Sequence, residues 1–266
     1  MENILDFLAR AHRPFIHARG RAGTALLLKK LDELPHRRVL EIGFGTGQTL
    51  VEMSARWPET ELHGLEKSPL MRTAAQRRLR FCGISKVKLA PAQPDGRLPF
   101  PDDYFDVVYV ESVLAIQPDE DIECIFAEII RVLRPGGAFL NNESLWLEQV
   151  SDEKIREINV LCREAFGIPQ APEKWRYPVE WQQLAKQTGF QTQSIIRMHG
   201  LPVAHSFQWK IPLLRSALFS GWGKFKTRLS ASSRVRKRAF DRAMQGFSGY
   251  GNYLEGVLFH FRKPSG

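Results

Sequence analysis

Residues 39–49 read VLEIGFGTGQT, and the interpretation of the rest of the chain follows from this stretch. Its apolar start predicts a strand, which enters a loop with glycines at positions 43, 45 and 47 before a helix begins. Glycine tolerates positive φ and lets the backbone approach a ligand closely. A strand, a tight loop and a helix N-terminus in this order present free N–H groups to an anionic part of a ligand.

The spacing of the glycines argues against a dinucleotide as the ligand. A pyrophosphate-binding loop reads Gly-x-Gly-x-x-Gly, whereas here the third glycine comes one residue early. Glu41 also precedes the loop, where a carboxylate suits a ligand with an ammonium group and would repel a pyrophosphate. At this point the sequence resembles the class I S-adenosylmethionine-dependent methyltransferases, whose first motif is an acid followed by Gly-x-Gly-x-Gly.

Two later segments strengthen this resemblance. Residues 98–110, LPFPDDYFDVVYV, resemble the family's Leu-Pro-Phe-x-Asp…Phe-Asp-x-Val segment. Residues 131–137, RVLRPGG, match the family's turn before the fifth strand. The resemblance covers about residues 36–200 and the last strand, and it implies an α/β fold. We expect a doubly wound, mostly parallel seven-stranded sheet with helices on both faces, an N-terminal helical cap and a basic insertion between the last two strands.

Hydrophobic periodicity and turn residues locate the elements of this fold. Ser68 is a predicted N-cap, Pro69 suits the first helical position and Gly83 ends the same helix. We divide the chain into a cap (1–35), a cofactor-binding core (36–199 and 253–266) and a basic insertion (200–252). Predicted strands are 38–42, 61–66, 86–90, 107–110, 138–141, 193–198 and 253–261, and predicted helices lie within 4–8, 20–34, 49–57, 68–81, 122–133 and 145–185.

Candidate ligand-binding residues collect at the carboxyl ends of the predicted strands, where open α/β sheets bind ligands. The resemblance implies S-adenosylmethionine as cofactor, with S-adenosylhomocysteine as its product. Glu66 would accept hydrogen bonds from ribose, although a surface carboxylate paired with Lys67 is the alternative. Asp95 or Gln93 would bind the adenine, and residues from Glu111 onward would line the methyl end. The implied cofactor-binding residues are Glu41, Gly43, Phe44, Gly45, Thr46, Gly47, Glu66, Lys67, Asp95 and Glu111.

Two residues are candidates for binding the substrate. Residues 17–24, HARGRAGT, resemble a segment that closes over the cofactor in small-molecule methyltransferases. His17, Arg21 or Thr24 would then contact the cofactor carboxylate or the substrate, with His17 assigned to the substrate; a solvated turn and helix cap is the alternative. Glu143 follows a predicted strand, where burying an acid without a partner is costly. No catalytic residue and no metal ligand is assigned. Candidate general bases are His17, Glu111, Glu143, His199, His205 and Tyr250.

Composition narrows the class of protein. Hydrophobic residues make up 43% and charged residues 25%, which is typical of a soluble globular chain and excludes a disordered one. Three cysteines without a Cys-x-x-Cys pair argue against a disulfide framework. The N-terminus carries acids and lacks the apolar core of a secretory signal, and no run approaches the about 18 apolar residues of a membrane span. We therefore expect a cytoplasmic protein with membrane association as an option.

The net charge of +9 comes from one segment. Residues 201–250 hold ten basic residues and one acid, whereas the remainder holds 28 of each. Apolar and aromatic residues accompany these cations, so a lid over the substrate, a peripheral membrane contact, a protein partner and nucleic acid all stay open. Nucleic acid is the least favoured partner because no recognised binding motif accompanies the charge.

These patterns predict a methyltransferase that acts on a small molecule. One alternative is an RNA methyltransferase that uses the basic insertion. The Asn/Asp-Pro-Pro-Tyr/Phe motif of many enzymes that methylate base nitrogens is missing after strand four, where residues 111–114 read ESVL. The other alternative is a protein that binds the cofactor without transferring its methyl group. The acceptor and the oligomeric state stay open.

Overall fold

A seven-stranded sheet carries the fold in the computed structural model, which describes residues 3–17, 19–198, 210–246 and 252–265. The strands are β1 (Arg38–Ile42), β2 (Glu61–Glu66), β3 (Lys88–Pro91), β4 (Phe105–Glu111), β5 (Leu133–Trp146), β6 (Gln191–Arg197) and β7 (Leu254–Arg262). The α-helices are α1 (Ile4–Arg10), α2 (Gly20–Asp32), α3 (Gln48–Arg56), α4 (Pro69–Cys82), α5 (Asp119–Val132), α6 (Asp152–Phe166), α7 (Pro178–Gln187), α8 (Ile211–Leu229) and α9 (Ala231–Gly246).

The strands follow the order β3-β2-β1-β4-β5-β7-β6. β7 runs antiparallel to β5 and β6, and the other neighbouring strands are parallel. The order reverses between β1 and β4, so the loops after these two strands diverge and leave a crevice at their carboxyl ends. The predicted doubly wound, mostly parallel sheet is therefore confirmed.

Helices cover both faces of the sheet because its central strands are apolar on both sides. Leu40 of β1 belongs to a core cluster with residues of α5 and α7, whereas its neighbour Val39 packs with residues of α2, α3 and α4. Alternate side chains of a strand point to opposite faces, which explains this division. No described helix is both long enough and apolar enough to cross a membrane.

Local signals fix the ends of several elements as predicted. The Ser68 hydroxyl accepts a hydrogen bond from the Met71 amide at 3.3 Å, Pro69 occupies the first turn, and Gly83 ends α4 with φ of 76°. β1 and β2 have the predicted bounds. These signals act over a few residues and do not depend on the tertiary fold.

The sheet is more extensive around β5 than the sequence predicts. β5 runs to Trp146, although residues 145 and 146 were predicted to be helical, and it begins at Leu133, within a predicted helix and turn. The later end is caused by β7, which pairs with β5 from Ala138–Arg262 to Trp146–Leu254 and so extends the strand. At the start, Leu133 pairs with Phe105 of β4. Within 147–185, only α6 and α7 are helical.

The connection between β6 and β7 holds the basic segment. Its described part, residues 210–246, forms α8 and α9, and α8 packs on α3 and α4. The N-terminal α1 and α2 form the predicted helical cap, with α1 against α4 and α2 against β5 and β7. α2 therefore lies on a face of the sheet, whereas α1 and α8 pack on helices that cover it.

Candidate ligand-binding site at the sheet edge

The glycine loop after β1 has a conformation and an environment that both require glycine. Gly43, Gly45 and Gly47 have φ of 77°, 52° and 74°, in the left-handed region that other residues avoid. A Cβ at Gly43 would clash with the Val113 side chain, and one at Gly47 would lie 2.9 Å from the Ala75 Cβ. The loop is therefore held tightly between the segment after β4 and helix α4.

Glu66 joins the loop from the neighbouring strand. It ends β2, and its carboxylate accepts hydrogen bonds from the Gly45 amide at 2.9 Å and the Ser68 amide at 2.8 Å. Burial raises the pKa of Glu66, although these amides favour the charged form. The structure therefore brings the predicted ribose-binding acid into direct contact with the glycine loop.

Glu41 is buried behind the loop. Its partner in the β1–β4 register is Tyr109, and one of its carboxylate oxygens has no hydrogen-bond partner among the described residues. Burial raises the pKa of Glu41 well above its usual value, and the nearby carboxylates of Glu111 and Glu66 add to the shift. An unpaired carboxyl oxygen in this position can accept a hydrogen bond from a donor or bind a cation.

Glu111, at the end of β4, is the centre of a buried polar cluster. Its carboxylate accepts a hydrogen bond from Thr49 at 2.9 Å and from the Asn142 amide at 3.2 Å. The Thr24 hydroxyl lies 3.3 Å from the same carboxylate and 3.0 Å from His17 Nε2. His17 Nδ1 is 3.4 Å from Glu111 Oε1, so the structure brings together two residues that the sequence singled out separately.

Glu143 binds backbone amides of the segment after β4. It is fully buried, and its oxygens accept hydrogen bonds from the amides of Val113, Leu114 and Ala115 at 3.2, 3.0 and 3.4 Å. Burial raises its pKa to about 8. Glu143 therefore holds the backbone whose Val113 side chain packs on Gly43, and its contact with a substrate stays a prediction.

The remaining predicted residues lie in two different environments. Phe44 and Thr46 are buried in the loop, where Phe44 packs against Gly64 and the Thr46 hydroxyl donates to the Arg13 carbonyl at 2.7 Å. Lys67 and Asp95 are exposed, and the Asp95 carboxylate accepts from the Arg97 amide at 3.1 Å. The structure therefore does not bring Lys67 or Asp95 into the buried cluster.

The N-terminal segment covers the glycine loop. A Cβ at Gly45 would lie 3.3 Å from Ile16 Cδ1, and the Arg13 carbonyl accepts the hydrogen bond from Thr46. A covering segment excludes water from the groups beneath it, which strengthens their electrostatic interactions. These contacts come from residues 13 and 16, just before the predicted closing segment 17–24, whose role over the cofactor stays a prediction.

Arg78 of α4 fastens these parts together, and sequence reasoning missed it. Its guanidinium is fully buried and donates to the Thr46 carbonyl at 2.8 Å and the His12 carbonyl at 2.9 Å. It also donates to the Ser216 and Ser220 hydroxyls of α8 at 2.7 and 2.9 Å. Burial lowers its pKa to about 10. The available signal was its position on the apolar face of α4, at helical spacing from Met71, Ala74, Ala75 and Cys82.

Thr49 and Asn142 were also missed as partners of Glu111. Three further candidate bases, His199, His205 and Tyr250, lie outside the described residues. Within the described residues, no group of three His, Cys, Asp or Glu side chains could hold a metal ion.

Comparisons with known proteins support the same fold and family. Residues 39–137 match the model of a family described as a methyltransferase domain. Over 118 residues the chain is 35% identical to a malonyl-[acyl-carrier protein] O-methyltransferase from Xylella fastidiosa, covering 43% of this chain and 38% of that relative. Over 236 residues it is 28% identical to a cycloartenol-C-24-methyltransferase from Arabidopsis thaliana, covering 83% and 64%.

A solved structure extends the likeness to nearly the whole chain. A phosphoethanolamine N-methyltransferase 2 from Haemonchus contortus, in complex with phosphomonomethylethanolamine and S-adenosylhomocysteine, superposes with a TM-score of 0.68. The match covers 98% of this chain and 57% of that one at 18% identity, so it establishes the fold alone. Residues 39–137 therefore match a methyltransferase domain, and the strand order agrees with the class I, Rossmann-like S-adenosylmethionine-dependent methyltransferases that the sequence resembles.

Proposed function

We propose that this protein binds S-adenosylmethionine at the glycine loop and transfers its methyl group to a small-molecule acceptor. The observation that carries the proposal is the hydrogen bond of 2.9 Å between the Gly45 amide and the Glu66 carboxylate. It joins a loop with positive φ to an acid on the next strand, at the crevice where such sheets bind ligands. The chain spans only 38% of the length of the first curated relatives that it matches, so their activities are not carried over directly.

The residues at this edge fit the proposed cofactor. Backbone groups of residues 43–47 would bind its amino-acid part, and the unpaired oxygen of Glu41 could accept a hydrogen bond from an ammonium group, whose charge would favour the ionised carboxylate. Glu66 would exchange its hydrogen bond with Gly45 for bonds to the ribose hydroxyls. When bound, S-adenosylmethionine supplies a methyl group on a positively charged sulfur, open to in-line displacement.

The chain's own contribution is orientation and proton handling. The cluster around Glu111 lies at the end of β4, and the covering segment brings His17 to it. In this arrangement Nδ1 of the imidazole faces the Glu111 carboxylate, and Nε2 would exchange its hydrogen bond with Thr24 for the acceptor and accept a proton from a hydroxyl or an acidic carbon. His17 is therefore the candidate base, whereas an amine acceptor that arrives neutral would need none.

Transfer of an isotopically labelled methyl group tests the proposed reaction. The protein is incubated with labelled cofactor and a panel of carboxylic acids, amines, phenols, alkenes and bulk RNA. We expect S-adenosylhomocysteine to form with one small-molecule class, with the label in that product. Label recovered in RNA would support the RNA methyltransferase instead. Cofactor binding without turnover on any small-molecule class or RNA would indicate a non-catalytic protein.

A histidine substitution tests the proposed base once a hydroxyl or acidic-carbon acceptor is found. His17→Asn should lower turnover about 100-fold or more, because a positioned general base contributes on that order. S-adenosylhomocysteine affinity should change little. His36→Asn is the matched control, since His36 hydrogen-bonds the Leu34 carbonyl, away from the Glu111 cluster. Equal turnover of both variants would remove His17 from the reaction.

A further inference from the structure

Helix α8 is apolar on its exposed side and largely polar or small on its buried side. The buried positions are Ser216, Phe219, Ser220 and Gly223. A surface helix ordinarily buries its apolar stripe and exposes its polar one. The exposed apolar residues recur at spacings of three and four, so they form one stripe along the helix, which consists of Ile211, Leu214, Leu218, Trp222, Phe225 and Leu229.

The buried side of α8 is committed to the interior. Ser216 and Ser220 accept hydrogen bonds from Arg78, and a Cβ at Gly223 would clash with the Ala11 carbonyl. The orientation of the helix is therefore fixed by a buried polar network and a close backbone approach. The apolar stripe is left facing outward, with Leu218 and Trp222 exposed by 68% and 54%. Contiguous exposed apolar surface of this kind marks an interaction site.

The surroundings of the stripe are cationic. Neither α4 nor α8 contains an acidic residue. Six exposed cations on these two helices have no ion-pair partner among the described carboxylates: Arg77, Arg80, Arg215, Lys224, Lys226 and Arg228.

A cavity of about 670 Å³ joins three of these cations to the stripe. Arg77, Arg80 and Phe81 of α4 line it from one side. Leu218, Trp222 and Lys226 of α8 line it from the other. The Lys226 ammonium lies 5.3 Å from the centre of the Trp222 ring. Aromatic and aliphatic side chains next to basic ones are typical of helices that lie in the interface of a bilayer.

We propose that the exposed face of α8, together with Arg77 and Arg80, docks on an anionic lipid bilayer. The helix has 19 residues and is about 28 Å long, so its stripe can lie along a membrane surface. The apolar side chains would enter the boundary between headgroups and acyl chains, while the cations bind lipid phosphates. This proposal does not depend on the chemistry of methyl transfer.

Other occupants fit the surface less well. A second copy of this chain related by a two-fold axis would bring the same cations against each other. RNA would neutralise the cations but would gain nothing from Leu218, Leu214 or Leu229, which carry no stacking ring. A bilayer satisfies both features of the surface at once.

Co-sedimentation of the full chain with lipid vesicles tests the proposal. The probes are vesicles of phosphatidylcholine alone and vesicles with about a third of phosphatidylglycerol. We expect binding to the anionic vesicles and at least about tenfold weaker binding to the neutral ones. Equal binding to both, or to neither, would overturn the proposal.

Two variants separate apolar insertion from simple charge attraction. Leu218→Glu should weaken binding to anionic vesicles about tenfold or more, because a leucine that enters the membrane contributes at least that factor. Val179→Glu is the matched control, because Val179 of α7 is an exposed apolar residue as well, with an exposed fraction of 54%. This variant should bind within about twofold of the wild type after allowance for the added charge. Circular dichroism and cofactor affinity establish that both variants are folded. Equal losses in both variants would contradict insertion of the stripe.

The same preparations distinguish the other occupants. Light scattering should give one mass for the wild type and for Leu218→Glu. A wild-type dimer that Leu218→Glu dissociates would assign the stripe to a second copy. Competition by RNA that removes the protein from anionic vesicles, together with RNA binding unaffected by Leu218→Glu, would assign the surface to nucleic acid. Either result would overturn the membrane proposal.

Discussion

Arg78 has an unusual environment for an arginine, because its guanidinium is fully buried and its described partners are all neutral oxygen atoms. A buried cation without a carboxylate is costly unless its donors are well satisfied. Here several donors are used, and together their bonds reach the loop, the N-terminal segment and α8. The hydrogen bonds that offset the cost of burying the Arg78 charge therefore also fix the positions of the loop, the N-terminal segment and α8.

Removal of the Arg78 guanidinium should destabilise the protein strongly. Arg78→Met leaves buried carbonyl and hydroxyl groups without donors, and each such group costs about 1–3 kcal/mol. We expect a loss of about 3 kcal/mol or more in the free energy of unfolding, measured by urea denaturation. Arg77→Met is the matched control, because Arg77 is exposed on the same helix and should stay within about 0.5 kcal/mol. Similar losses in both variants would contradict the role assigned to Arg78.

Glu143 should make stability fall as the pH rises. Its pKa is raised to about 8 by burial, so the folded state holds the proton more tightly than the unfolded state does. Its contribution to the free energy of unfolding is fully present below the usual glutamate pKa. This contribution is lost as the pH rises through the pKa of Glu143 in the folded state. The slope is at most about 1.4 kcal/mol per pH unit between about pH 4.5 and 8.

Urea denaturation at several pH values measures this effect. Glu143→Gln stays neutral at every pH, so its stability should gain on the wild type across that interval. Other buried acids, such as Glu41 and Glu66, are present in both proteins and largely cancel in the difference. Parallel pH dependence of the two proteins would show that Glu143 is ionised throughout.

At the level of elements, the glycine loop combines two separate requirements. Gly43 needs both a positive φ and the space that the Val113 side chain leaves open. Gly96 has nearly the same φ, 74°, but a Cβ added at Gly96 would have no atom within 4 Å apart from its neighbours in the chain. The two glycines therefore share a left-handed backbone conformation, but only Gly43 is also confined by a neighbouring side chain.

Alanine substitutions separate these two requirements. Gly96→Ala should cost about 1–2 kcal/mol from left-handed strain alone. Gly43→Ala should cost about 1–3 kcal/mol more, because the added methyl group also overpacks against Val113. Thermal and urea unfolding measure both losses. Equal losses would mean that the segment after β4 yields freely and does not confine the loop.

The elements also show what a sequence can predict. The bounds of β1 and β2 followed from apolar runs between turn residues, and the ends of α4 from Ser68, Pro69 and Gly83, since these signals act locally. The length of β5 could not be predicted in this way. It depends on pairing with β7, which is more than 100 residues away in the chain and has no local signal in β5 itself.

For the whole molecule, the candidate site was predictable to the extent that topology determines it. Parallel strands end at one edge, so Glu66 and Glu111 were expected near the glycine loop. The partners of Glu111 were not predictable, because Thr24 and Asn142 come from a helix and a strand whose packing is a tertiary property. The docking of α8 on Arg78 escaped prediction for the same reason.

The central claim is that the glycine loop and Glu66 together bind S-adenosylmethionine. Titration calorimetry with S-adenosylhomocysteine tests it most directly, with Glu66→Gln compared against Glu59→Gln, whose carboxylate is exposed by 90%. We predict binding by the wild type and a loss of about 1–3 kcal/mol, or about 5- to 150-fold, for Glu66→Gln only. Heat with NAD but none with S-adenosylhomocysteine, or equal affinity of both variants, would contradict the claim.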